Sequence, residues 1–113
     1  MTTRISADNI QPSTVNTFGG PRITSVQVTN SSYVVTGATT LSTSGGFVRI
    51  NGSGFQSNVN VIIGNVPAVS VTYVNSTQIN SQIPALAAGN YFLYVTNIDN
   101  GKVAIRPNGI TTA

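Results

Sequence analysis

Between Ser44 and Asn97, short apolar alternations are broken by turn residues at nearly regular intervals. Each strand candidate runs four to seven residues and is followed by Gly, Asn or Pro. Consecutive antiparallel strands with tight connections require that pattern. In residues 47–51, Val48 and Ile50 point one way and Phe47 and Arg49 the other. Upstream, Ile23, Val26 and Val28 change face once, which predicts a bulge in a first strand. A short piece over residues 32–36 precedes a Ser, Thr and Gly stretch. Further strands are expected at residues 59–63, 66–74 with a break near Pro67, 77–83, 91–96 and 102–105. Asp99-Asn100-Gly101 predicts a hairpin between the last two, because Asn and Gly tolerate positive φ. Gly52 and Gly54 are expected to turn the backbone, and Phe55 to plug one end of the core. No segment carries a helical period, so the pattern predicts an all-β sandwich.

Gly19-Gly20-Pro21 marks the first boundary. Before it, Ile5, Ile10, Val15 and Phe18 stand too far apart to share one face of a strand or helix. Residues 1–20 therefore read either as a disordered terminus or as an extended arm whose four apolar side chains dock on a neighbour. The expected organisation is arm 1–20, sandwich 21–106 and a short tail 107–113. At 113 residues the chain fits one domain, able to bury roughly two-thirds of its unfolded surface. No apolar run approaches the ~20 residues of a membrane helix, and the first residues lack the apolar stretch of a signal peptide. The expectation is a soluble chain with no membrane partner.

Composition narrows the chemistry. The chain has no His, Cys, Trp or Glu, so most side chains that transfer protons, attack as nucleophiles or bind metals are missing. A serine hydrolase lacks its base. No enzyme, metal or cofactor is expected, and no disulfide can form. The formal charge of +3 comes from Arg4, Arg22, Arg49, Lys102 and Arg106 against Asp8 and Asp99. These cations are scattered rather than clustered, which argues against nucleic acid as a partner. Ser, Thr and Asn make up more than a third of the chain, a composition that suits assembled extracellular or virion surfaces. Asn30-Ser31-Ser32, Asn51-Gly52-Ser53 and Asn75-Ser76-Thr77 match glycosylation acceptors, but read as chance in such a chain. Residues 97–101 offer oxygen ligands with one carboxylate, too few for calcium.

Several landmarks together resemble a known family. They are Pro21-Arg22-Ile23-Thr24-Ser25-Val26; Gly45-Gly46 with Val48-Arg49-Ile50-Asn51-Gly52-Ser53-Gly54-Phe55; Val61-Ile62-Ile63-Gly64; Ser76-Thr77-Gln78-Ile79 leading to Ile83-Pro84-Ala85; and Ala88-Gly89 before Tyr91-Phe92-Leu93-Tyr94-Val95-Thr96-Asn97. In order and spacing they look like the IPT/TIG immunoglobulin-like domain. The resemblance implies an immunoglobulin-like β-sandwich serving as a spacer or adhesion module, without shared catalytic residues. The departure is at Arg106-Pro107-Asn108-Gly109, where the family's closing strand usually ends in an aromatic.

Fold does not fix function. As a single module with an arm, the chain is expected to work by assembly with other chains. The opening Arg4-Ile5-Ser6-Ala7-Asp8-Asn9-Ile10 is similar to starts of bacteriophage tail-fibre and capsid-associated proteins. The resulting expectation is a structural protein on the exterior of a phage virion, a capsid decoration or fibre-type component. Its partners would be further copies of itself, as a homo-oligomer, and a capsid or tail protein.

The alternation also names a surface. With Tyr91, Leu93 and Val95 facing the core, Phe92 and Tyr94 face outward, beside Ile62 if Val61 and Ile63 are the inward pair. The assembly interface expected from sequence is therefore Ile5, Ile10, Val15, Phe18, Ile62, Phe92 and Tyr94. A slip of one residue would instead put Phe92 and Tyr94 in the core. Phe47 and Arg49, a lone pair on the other sheet, read as ordinary surface. The alternative function is a glycan- or host-surface-binding adhesion module, with Tyr33, Tyr73 or Tyr94 stacking on sugar rings next to amides.

Overall fold

A computed structural model describes residues 20–113 of the protein. The expected interface residues Ile5, Ile10, Val15 and Phe18 lie outside the described residues. The described strands are β1 (Arg22–Thr29), β2 (Gly46–Ser53), β3 (Val59–Ile63), β4 (Val66–Pro67), β5 (Ser70–Asn75), β6 (Gln78–Ile83), β7 (Gly89–Asn97) and β8 (Lys102–Thr112). They form two four-stranded antiparallel sheets, ordered β1-β2-β6-β5 and β4-β3-β7-β8.

The two sheets face each other across one apolar cluster. Val48 and Ile50 of β2 and Ile79 and Ile83 of β6 meet Val61 and Ile63 of β3 and Leu93 and Val95 of β7, all buried. Burial of each such side chain contributes about 1.5–3 kcal/mol, so this cluster is the main source of stability. Phe55 closes the end at Gly52, while Leu41 packs on Gly46 at the opposite end of β2. A Cβ on Gly52 would collide with the Arg22 carbonyl and the Phe55 ring. Gly52 thus stays in the strand and provides clearance for β1 and Phe55, whereas Gly54, at φ 73°, makes the turn.

The bulge expected in β1 falls between Ile23 and Ser25. The break near Pro67 is a change of sheet: β4 pairs with β3, and β5 joins β6 in the other sheet. Pro67 lacks an N–H, and the edge position of β4 tolerates that loss. Residues 32–36 do not form a strand. Asn30 Oδ1 accepts from the backbone N–H of Ser32 (2.8 Å) and Val34 (3.1 Å), and Tyr33 turns to φ 61°, leaving a single bridge between Thr29 and Val35.

The expected tail is also different. β8 runs on to Thr112, so a boundary at 106 falls inside a strand. Pro107, Asn108 and Gly109 are taken up by a register shift between the Leu93–Arg106 and Tyr91–Ile110 pairs, with Asn108 at φ 54°. After this bulge Ile110 returns to the core, and Thr112 Oγ1 donates to the Ala87 carbonyl at 2.6 Å.

Candidate functional site

The two outer faces have opposite chemistry. On β7, Leu93, Val95 and Asn97 are buried, and alternation sends Phe92, Tyr94 and Thr96 outward. Ile62, Tyr94 and Ile105 lie opposite one another across β3, β7 and β8, and Pro67 extends the row onto β4. The Phe92 and Tyr94 rings stack at 6.2 Å between centroids and 28° between planes. Phe92 is 47% exposed and Ile105 56%, while Ile62 and Tyr94 are half-buried. The structure therefore brings Ile62, Phe92 and Tyr94 together and adds Ile105 and Val103, which the sequence reading left unassigned. The face of the last strand could be read only once its register to β7 was known.

The outer face of the β1-β2-β6-β5 sheet is polar. Gln27, Arg49, Asn80 and Thr72 pair in register across all four strands. On one side of this row stand Ser25, Asn51 and Gln78; on the other stand Phe47, Gln82 and Ser70. Asn51 Nδ2 donates to Ser25 Oγ (3.1 Å) and Gln27 Oε1 (2.9 Å), and Gln78 Nε2 donates to Asn80 Oδ1 (3.3 Å). Such contacts hold the amides in fixed positions.

A wall rises at the β1 end of this face. The Asn30 loop brings Tyr33 over β2, where its ring meets Phe47 edge-on at 5.6 Å and 87°. The Tyr33 carbonyl accepts from Arg49 Nη2 at 3.2 Å, which aims the guanidinium. Phe47 and Arg49 are thus not a lone pair but the centre of an amide-lined surface with two aromatic rings. Of the three tyrosines expected to stack on sugars, Tyr33 stands here and Tyr94 on the apolar face. Tyr73 is a correction: it packs against the core, because its partner across the sheet is the buried Ile79.

A cleft of about 330 Å³ also opens between the sheet edges, lined by Val26, Val28, Leu41, Val48 and Ile110 with Thr39. Among the described residues no three His, Cys, Asp or Glu side chains gather to hold a metal. What the polar face can do chemically is hydrogen-bond and stack.

The landmark order, two-sheet topology and strand lengths set this fold within a known type, and the profile of the IPT/TIG domain matches residues 21–112. The chain belongs to the IPT/TIG domain family. The family match includes the stretch after Arg106, in agreement with the full length of β8. Among curated proteins none matches the chain. Among solved structures, SGBP-B from a complex xyloglucan utilization locus in Bacteroides uniformis is similar, with a TM-score of 0.53 and 23% sequence identity. The likeness covers 81% of this chain and 23% of that one, so the IPT/TIG module spans under a quarter of its neighbour. At this identity the likeness shows a shared immunoglobulin-like fold.

Proposed function

We propose that this IPT/TIG module is a non-catalytic adhesion domain that binds glycan chains on the outer face of its β1-β2-β6-β5 sheet. The observation that carries the reading is the in-register row Gln27, Arg49, Asn80 and Thr72, with Phe47 and Tyr33 at its side. Sugar hydroxyls are both donors and acceptors, and fixed amides present both functions at once. An aromatic ring covers the apolar face of a sugar, the complement to those polar contacts. The neighbour's origin in a xyloglucan locus agrees with this reading, and favours it over a virion component.

A second reading keeps the role in assembly, because Ile62, Phe92, Tyr94, Val103 and Ile105 make a contiguous apolar surface of the kind that partners cover. In it, the β4-β3-β7-β8 face packs on a second copy, and display on the exterior of a phage particle belongs to this reading. The two surfaces lie on opposite sides, so both roles fit one molecule.

The test is calorimetric titration of the full chain with neutral and acidic polysaccharides, beside Arg49→Ala and Phe47→Ala. Saturable binding by the full chain, weakened in both variants and kept in Phe92→Ser, supports the reading. Binding to none of the polysaccharides, or binding that both variants retain in full, removes it.

A further inference from the structure

Resting on that reading, we infer that the glycan is acidic, and that Arg49 receives its carboxylate. Arg49 is a half-buried cation whose charge no side-chain carboxylate offsets among the described residues. Among the described residues the one side-chain carboxylate is Asp99, in the turn after β7 on the other sheet, where Oδ1 accepts from Asn58 Nδ2 at 3.1 Å. Among the described residues, its neighbours on that sheet face are neutral: Gln27 and Asn80 beside it, Phe47 and Asn51 along its strand. A cation partly removed from water without a counter-charge is costly, and a bound anion offsets that cost.

The donor geometry points the same way. Nη2 is engaged by the Tyr33 carbonyl at 3.2 Å and Nε is enclosed, so a ligand meets the guanidinium at its terminal nitrogens. A guanidinium carries five donors in a planar fork, and a carboxylate is the ligand group whose two oxygens match that fork. The flanking amides of Gln27 and Asn80 would then take the hydroxyls next to the acidic carbon. Tyr33 and Phe47 bound this position on one side, so the acid-bearing ring sits against them. The other described cations are built differently: Arg22 and Lys102 are exposed, and Arg106 Nη1 spans the sheets to the Thr24 carbonyl at 3.2 Å.

The experiment compares polygalacturonate and alginate with their methyl-esterified forms, which keep the sugar backbone and remove the charge, and with neutral xyloglucan. Titration of the full chain should show at least tenfold tighter binding to a free acid than to its ester, a preference that narrows as salt rises. Arg49→Gln should erase the preference. Asn80→Asp, which puts a carboxylate of nearly the same shape beside Arg49, should erase it as well while circular dichroism stays unchanged. Equal affinity for acid and ester overturns the acidic-sugar inference and leaves the glycan reading standing. Binding to no polysaccharide removes both. Equally tight, salt-sensitive binding to single-stranded DNA would show general anion attraction instead, and would also overturn it.

Discussion

Asn97 donates from its side-chain Nδ2 to the Gly54 carbonyl at 2.8 Å, and its Oδ1 accepts from the Gln56 backbone N–H at 3.1 Å. This fully buried amide ties the end of β7 to the loop that carries Phe55 into the core. A buried group that loses such partners leaves polar backbone atoms unsatisfied. Asn97→Ala should therefore lower stability by about 2 kcal/mol, read as a lower urea midpoint. A change under about 0.5 kcal/mol would mean that water replaces the amide without cost.

Asn97 also shows where sequence reading stops. As the polar residue after an apolar strand it looks like the start of a turn, and only the continuation of β7 through Asn97 lets alternation carry it inward. Leu93 and Val95, by contrast, were legible because apolar side chains two apart on one strand must share a face. The sandwich and the β1 bulge followed from the same rule, whereas at Pro67 only a break was legible and the pairing shows it to be a change of sheet. The polar face was not legible, since Gln27, Arg49, Asn80 and Thr72 come from four separate strands. Only the register joins them, and register depends on long-range pairing. Tyr73 failed for a related reason: an aromatic with a hydroxyl suits either side of a sheet, and its partner Ile79 decided.

Removal of residues 107–113 tests the extent of the domain. These residues supply buried Ile110 and Thr112, a parallel bridge from Thr112 to Leu41, and the backbone contacts Leu41 N–H to Thr111 O (2.8 Å) and Ala113 N–H to Leu41 O (2.9 Å). The loss of Ile110 alone costs roughly 1.5–3 kcal/mol, and the edge of the sheet goes with it. The shortened chain should show no cooperative thermal transition. A sharp transition near that of the full chain would make the segment a dispensable tail after all.

The stacked Phe92–Tyr94 pair sits on solvent-facing β7 positions, so Phe92→Ser with Tyr94→Ser should change stability by less than about 1.5 kcal/mol. If this face pairs copies of the protein, sedimentation at rising concentration should show association in the parent and a monomer in the double variant. Association that is the same in both would place the contact elsewhere.

Tyr33 separates two contributions to the polar face, because its carbonyl orients Arg49 while its ring walls the site beside Phe47. Tyr33→Asn keeps the carbonyl, and Asn is among the residues that best tolerate a φ of 61°. The edge-on contact with Phe47 is lost, at a cost of about 0.5–1.5 kcal/mol of stability. Affinity for acidic and neutral sugars should fall together, by roughly threefold to tenfold, if the ring stacks on the sugar. The ratio between acid and ester should hold, since that ratio resides in the guanidinium. A drop in the ratio alone would mean that Tyr33 acts only through Arg49, and unchanged affinity for both would remove the ring from the site.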